Sequence, residues 1–301
     1  MNVPKSVFRQ YDVRGLVDRE LTPEFARALG RAFASVAHER LGKAPVIAVG
    51  RDNRPSGDSL SRGVRRGITE AGGTAIDIGT APTPALYFAV SALGTDAGLQ
   101  VTGSHNPPEF NGFKMVLAGE AFHGDDILGL WEIIMAERWR SGAGKETSDG
   151  SVLQRYRDGI ISRHNLERPV RVVVDCGNGV GSLISVSTLR GLGAEVTPLF
   201  CDSDGSFPNH HPDPTVPENL RDLQAAVRRT GAELGIAFDG DADRIGVIDN
   251  TGEIIWGDHL LIIYARDVIE RMGKGQPIIF DVKCSQALPE AIEKAGGKPV
   301  M

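Results

Sequence analysis

Three cysteines in 301 residues are too few and too scattered for a disulfide frame or a zinc site. Cys176, Cys201 and Cys284 stand in no CxxC spacing, and an odd, sparse set reads as reduced thiols in a cytoplasmic protein. No apolar run reaches the roughly 18 residues that a membrane span needs. The opening MNVPKSVFRQYDVRG has no basic-then-apolar leader pattern. Positive charge is not in excess either: 33 Lys and Arg against 39 Asp and Glu leave a formal charge of -6. That argues against a general nucleic-acid binder, while leaving room for local basic pockets that take small anions. What remains is an ordinary globular composition, 41% hydrophobic and 24% charged. At this length two or more domains are expected.

Helical and extended patterns alternate along the chain. In LTPEFARALGRAFASVAHERLG, Thr22 and Pro23 supply a helix start, and Phe25, Ala28, Leu29, Ala32, Phe33 and Val36 share one face. VIAVGRD is a short apolar run ending in polar residues, as a buried strand feeding a loop would be. SLSRGVRRGITEAGG reads as a helix closed by glycines and TAIDIG as the next strand. Such alternation predicts an α/β layer with a mostly parallel sheet. One unit recurs, a helix ending in glycine and then a strand, in EAGGTAIDIG (70–79), GLGAEVTPLF (191–200) and KAGGKPVM (294–301). Its recurrence predicts duplicated α/β domains, the last of them incomplete. The polar, glycine-rich RSGAGKETSDGS (140–151) is the best candidate linker. Domains are therefore expected at 1–148, 149–252 and 253–301.

Two loops carry chemistry. FDGDADR (238–244) follows the strand-like ELGIAF, which puts Asp239, Asp241 and Asp243 at the carboxyl end of a sheet strand, where open α/β sheets hold ligands. Three clustered anions repel unless a cation sits between them, and an all-oxygen set favours Mg²⁺ or Mn²⁺ over zinc. An EF-hand fails, because its sixth position would be Arg244 rather than glycine and its twelfth Asn250 rather than glutamate. The other loop lies in TGSHNPPEFNGFK (102–114), where Pro107, Pro108, Gly103 and Gly112 predict a shaped loop rather than a regular element. It holds Ser104 beside His105. A serine phosphate is a good phosphoryl donor when a divalent metal offsets its charge. One position on a Mg²⁺ held by the aspartates would be free for it, so the two loops are expected to form one site. Lys114, ten residues on at the head of a strand, could stabilise phosphate oxygens or move the acceptor hydroxyl's proton. No GxSxG elbow surrounds Ser104, which leaves a Ser-His-Asp hydrolase without support. An aspartyl-phosphate phosphatase with Asp239 as nucleophile is a fairer rival, although Asp243 stands where it would prefer threonine or valine.

FRQYDVRG, GRDNRPSG, TGSHNPPEFNGFK, PNHHPDP, FDGDADR and FDVK occur in the order found in the α-D-phosphohexomutase family. The chain resembles that family along essentially its whole length, most closely the bacterial phosphomannomutase/phosphoglucomutase branch. The resemblance implies repeated three-layer α/β domains with mixed, mostly parallel sheets around a deep cleft. It implies Ser104 as phosphoserine, Asp239, Asp241 and Asp243 as Mg²⁺ ligands with it, and His105 and Lys114 beside the reacting groups. Tyr11 and Arg14 would stand at the mouth of the active site, and Arg244 and Lys283 would contact substrate or phosphate. The implied reaction interconverts hexose 1-phosphates and 6-phosphates of mannose or glucose through a 1,6-bisphosphate, with a phosphosugar as the partner, no nucleic acid and no membrane. Ala242 replaces the family's usual glycine and is expected to keep the carboxylates in place if it avoids positive φ. The family's Gly-Glu-x-Ser-Gly-His sugar loop and fourth domain have no counterpart here, so an inactive phosphate-binding fragment is the non-enzymatic alternative.

Four weaker signals read as structural. DCGNGVG (175–181) spaces its glycines as GxGxG, a turn rather than a dinucleotide fingerprint. His210 and His211, among prolines, stiffen a loop or connect domains. Arg62, Arg65 and Arg66 form a solvated helix face, and Trp131 and Trp139 are packing residues.

Overall fold

A computed structural model describes residues 3–301. The chain enters through β1 (Val13–Leu16) and then alternates α1 (Pro23–Leu41), β2 (Val46–Arg51), α2 (Gly57–Glu70), β3 (Thr74–Thr80), α3 (Thr83–Ala92) and β4 (Ala97–Val101). β5 (Phe110–Leu117), β6 (Glu120–Ala121), α4 (Asp125–Ala136), β7 (Lys145–Ser148) and α5 (Val152–Arg163) follow. The strands form one sheet in the order β1-β5-β4-β2-β3-β7, with β6 added to β5. β4, β2, β3 and β7 run parallel, while β5 is antiparallel to both of its neighbours in that order, β1 and β4.

Local chemistry explains where these elements begin and stop. Thr22 caps α1 by accepting the Phe25 N–H at 3.1 Å, Pro23 occupies the first turn, and Gly42 ends the helix at φ 67°. Successive residues of β2 face opposite sides. Ile47 and Val49 join the core under α1, α2 and α4, while Ala48 joins the core under α3 and α5. Three layers result. α1 and α2 cross at backbone contact, because a Cβ at Gly67 would stand 2.0 Å from the Arg27 carbonyl oxygen, and one at Gly30 2.3 Å from that of Val64.

The second sheet repeats this plan. β8 (Arg171–Asp175), α6 (Ser185–Gly191), β9 (Glu195–Leu199), α7 (Arg221–Thr230), β10 (Leu234–Phe238), β11 (Ile245–Asp249) and β12 (Ile254–Ile255) give the order β12-β11-β10-β8-β9. Its centre is parallel and its β10–β11 and β11–β12 pairs antiparallel. Strand for strand, β11, β10, β8 and β9 correspond to β5, β4, β2 and β3. A third, smaller unit has α8 (Gly257–Met272), β13 (Pro277–Ile279), α9 (Ala287–Ala295) and β14 (Lys298–Val300), with β13 and β14 parallel. The three helix-glycine-strand repeats thus lead into β3, β9 and β14, at equivalent places.

Three expectations need correcting. The polar stretch 140–151 is not merely a linker, since β7 lies inside it and pairs with β3; Gly144 allows this, as its Cβ would meet the Gly73 carbonyl oxygen at 1.8 Å. The strand that carries Lys114 begins earlier than expected, at Phe110, so residues 110–112 of the serine stretch are strand rather than loop. Arg65 is buried rather than solvated and bonds Asp77 and Glu146, each at 2.8 Å, whereas Arg62 and Arg66 are exposed.

The α1–α2 contact is testable. Gly67→Ala should destabilise the chain by about 3 kcal/mol through overpacking. Gly129→Ala, in α4 with open space around it, should stabilise by roughly 0.5 to 1 kcal/mol. Urea unfolding of the two variants measures both, and equal effects would refute the close crossing.

Candidate active site

The serine loop connects β4 to β5, at the carboxyl end of the parallel strands. Arg54 builds it. The residue is 2% exposed, and all of its guanidinium N–H groups find acceptors: the Asp52 carboxylate at 3.1 Å and the carbonyls of Ser104, Asn106, Pro107 and Phe110 at 2.6 to 3.0 Å. Gly103 is required above it, because a Cβ would lie 2.5 Å from the guanidinium. Asp52 also accepts from the Thr102 hydroxyl at 2.8 Å and the Gly103 N–H at 3.1 Å, and Thr102 in turn accepts the Ser104 N–H at 2.8 Å. Held this way, Ser104 adopts φ 50°, a left-handed conformation that costs about 1 to 2 kcal/mol outside glycine. Such strain is kept where surrounding bonds over-determine it.

The aspartate loop connects β10 to β11, the same position in the second sheet. Asp239 and Asp241 are buried and Asp243 is exposed, and the three offer oxygens all within 4.8 Å of one another. Asp239 Oδ1 accepts the N–H groups of Asp243 and Arg244, both at 3.1 Å, which curls the loop. Ala242 does not meet that condition: it sits at φ 56°, within the turn closed by its N–H to the Asp239 carbonyl at 3.0 Å. The carboxylates converge all the same, because the Asp239 bonds fix the turn whatever residue fills that position.

The two loops meet. Ser104 Oγ donates to Asp239 Oδ2 at 2.9 Å and lies 3.3 Å from His105 Nδ1. Gly240 permits this approach, since a Cβ there would stand 2.4 Å from the Ser104 carbonyl oxygen. Thr83, at the start of α3, fastens the other side through its hydroxyl to Asp241 Oδ2 at 2.5 Å and its N–H to the Asp241 carbonyl at 3.0 Å. Lys114 reaches Asp241 at 2.7 Å and also contacts Asp243.

Charge follows from this packing. Burial, and then the Asp241 and Asp243 charges, push Asp239 up to about 8. Burial alone would raise Asp241 too, but the Lys114 ammonium and the Thr83 hydroxyl more than offset it and hold it below the ordinary carboxylate value. Burial would lower Lys114, yet Asp241 and Asp243 outweigh it and keep the ammonium firmly protonated. His105 is lowered by burial and by the Arg244 charge, which leaves its imidazole neutral near pH 7.

A cavity of about 780 Å³ opens above this cluster, lined by Ser104, Lys114, Asp243, Arg244, Tyr11 and Arg14 among others. Arg14 is held by Asp12, and Tyr11 is 77% exposed at the rim. Lys283 is not brought to this cavity; it lies in an exposed turn of the third unit, where its N–H bonds Asp281. Sequence reasoning missed Arg54, Thr83 and Tyr87, the last of which also lines the cavity. The GRDNRPSG motif contained Arg54, but nothing in its spacing told that its side chain turns inward. Gly177 adopts φ 49° in a turn and both tryptophans pack on the first core, as read, while His210 bonds the buried Asp175 at 3.1 Å.

The donor set suits a hard divalent cation. It is all oxygen, Asp241 Oδ1 is buried with no hydrogen-bond partner among the described residues, and an ammonium already bridges two of the carboxylates as a stand-in cation.

Residues 5–141 match the family model for phosphoglucomutase/phosphomannomutase alpha/beta/alpha domain I, and residues 154–252 that for domain II. The chain is 47% identical over 299 residues to the phosphomannomutase/phosphoglucomutase of Pseudomonas aeruginosa, covering 99% of this chain and 64% of that protein. It is 43% identical to the phosphoglucomutase of Neisseria gonorrhoeae, covering 100% and 65%. A crystal structure of a phosphoglucomutase/phosphomannomutase family protein from Burkholderia thailandensis superposes with a TM-score of 0.95 at 42% identity, covering 100% of this chain and 66% of that one. The chain therefore spans slightly less than two thirds of the length of these relatives.

Two outcomes follow from the geometry. Asp239 binds its proton more tightly folded than at the ordinary value of 3.8, so the metal-free chain should lose stability as pH rises from about 4 to about 8. Mg²⁺ should displace that proton, so its gain in Tm should be larger at about pH 8.5 than at about pH 6; a pH-independent gain would contradict the buried carboxylate. Gly240→Ala should push the loops apart and weaken Mg²⁺ binding by about 10- to 100-fold in calorimetry, with unchanged affinity refuting the interlock.

Proposed function

The chain belongs to the phosphoglucomutase/phosphomannomutase family, and from that premise we propose that Ser104 exchanges a phosphoryl group with a hexose phosphate. In full the reaction interconverts hexose 1-phosphate and hexose 6-phosphate of the mannose or glucose type. Phosphoserine 104 donates to the sugar, a 1,6-bisphosphate forms, and after the sugar turns round the opposite phosphate returns to Ser104. The observation that carries this reading is the 2.9 Å bond from the Ser104 hydroxyl to Asp239, which joins the nucleophile to the acidic cluster.

A Mg²⁺ ion held by Asp239, Asp241 and Asp243, together with a serine phosphate oxygen, would supply the charge offset that phosphoryl transfer requires. The chain's own residues do the rest. The Arg54 collar holds Ser104 in one orientation before substrate arrives, which removes part of the entropic cost of reaction. His105, neutral and 3.3 Å from Oγ, takes the hydroxyl proton when serine is rephosphorylated. Lys114 stays cationic and faces the phosphoryl oxygens, which favours charge stabilisation over the proton-transfer role. Arg14 and Arg244 supply positive charge on the cavity wall for the substrate's phosphate, and exposed Tyr11 stands where the sugar enters. Lys283 would act only if the third unit carried it to the cavity.

Phosphoryl acceptance can be separated from turnover. Incubated with glucose 1,6-bisphosphate and Mg²⁺, the chain should gain one phosphoryl group by intact mass, mapped to Ser104. Ser104→Ala should gain none and should lower any coupled glucose 1-phosphate to 6-phosphate activity by about a thousandfold or more. Phosphate on Asp239 instead would replace this reading with an aspartyl-phosphate phosphatase. Labelled Ser104 without turnover would confine the chain to the carrier half-reaction.

A further inference from the structure

Cys176 and Cys201, twenty-five positions apart, bring their sulfurs to 3.3 Å. The fold makes this contact. Cys176 directly follows β8 and Cys201 lies two residues past β9, on paired parallel strands whose register ends at Asp175 opposite Leu199. The pairing continues beyond the strands, with the Cys176 N–H donated to the Leu199 carbonyl at 3.2 Å and the Asn178 N–H to that of Phe200 at 2.8 Å. Phe200 then takes a left-handed turn at φ 49°, which sends Cys201 back towards Cys176. A disulfide has its sulfurs about 2.05 Å apart, so the pair needs only about 1 Å of approach between backbones already in register.

The two thiols differ in ways that suit sequential chemistry. Cys201 is partly exposed, whereas Cys176 is fully buried. The contact with Cys176 holds the Cys201 thiol below its ordinary value, while the contact with Cys201 and then burial push Cys176 well above. Exposed, thiolate-prone cysteines beside a second thiol are the ones that oxidants select. Disulfides in reducing compartments are mostly transient ones of this kind.

We propose that Cys176 and Cys201 are a peroxide-oxidisable dithiol, with Cys201 attacked first and Cys176 resolving. The Cys201 thiolate sulfur displaces hydroxide from hydrogen peroxide, which takes up a proton to leave as water, and the sulfur becomes a sulfenic acid. The Cys176 sulfur then attacks it, a second water departs with the Cys176 proton, and the disulfide closes; peroxide is reduced by the two electrons the thiols give up. An external dithiol reverses the step by exchange. The bridge would tie together two segments that touch the proposed site from below. Val180 donates its N–H to the Gly240 carbonyl at 3.0 Å, and Asn53, beside Arg54, bonds Asn178 at 2.8 Å and Ser203 at 2.9 Å. The dithiol stands apart from the phosphoryl-transfer reading and does not require it.

The test uses the full chain, reduced, desalted and treated with hydrogen peroxide. Intact mass should fall by two hydrogen atoms and recover with dithiothreitol. Arg190 lies between the cysteines, so trypsin should release the two segments as one linked peptide. Cys284→Ser should leave this unchanged. Cys176→Ser should instead accumulate a dimedone-trappable sulfenic acid on Cys201, formed roughly tenfold faster than any oxidation of Cys176 in Cys201→Ser. The proposal is overturned if the wild-type chain keeps both thiols alkylatable, links Cys284, or gains two oxygens on Cys201 as a sulfinic acid without forming the bridge.

Discussion

The bond between Ser104 and Asp239 spans 135 residues of sequence and two separate sheets, and the arrangement of the whole molecule can be read from it. Each end sits in the loop that leaves the last parallel strand of its sheet for the first antiparallel one, β4 to β5 in one and β10 to β11 in the other. The loops are thus counterparts in a repeated unit. A parallel sheet leaves ligand sites at its carboxyl edge, and here two such edges face each other, one presenting a hydroxyl and the other carboxylates. Neither loop is complete alone. The contact tolerates no side chain at Gly240 and draws on Thr83 to position Asp241, so docking of the units and assembly of the site are one event.

Arg54 shows what rigidity at such a site demands. Four carbonyls pointing inward around a serine in a left-handed turn would be costly to bury unpaired. One planar guanidinium satisfies all four together with Asp52, and a lysine, with three donors on a point charge, could not. Phe207 closes the stack from the second unit, its ring centre 5.0 Å from the guanidinium carbon. Removal of the charge would therefore release the loop rather than merely weaken a single bond.

The alternation of elements was legible because apolar runs and glycine-terminated helices are local signals, and α1 begins and ends where Thr22, Pro23 and Gly42 place it. The acidic triplet was legible for the same reason, its strand and loop being contiguous. What the sequence could not display was depth. Arg54 and Arg65 look like any surface arginine until the partners that bury them, 50 or more positions away in most cases, are known. Residues 145–148 look like linker because an edge strand exposed along its length carries no apolar alternation. Ala242 is a local case: propensity disfavours its φ, but the N–H groups of Asp243 and Arg244, bonded to the Asp239 carboxylate within the same loop, decide the turn and outweigh a penalty of about 1 kcal/mol.

Electrostatics links these features to a sequence of events. Three carboxylates share one ammonium and one retained proton, the latter on Asp239, the oxygen of which also holds Ser104. Asp239, Asp241 and Asp243 would hold a divalent cation in place of that proton, and its charge would relieve Lys114 of neutralising Asp241 and Asp243. A lysine so relieved would have its charge available to an anion at the cavity wall it already lines. Protonated Asp239 and an occupied Lys114 therefore describe a site closed on itself, whereas metal binding would leave both the serine hydroxyl and the ammonium free to face the cavity.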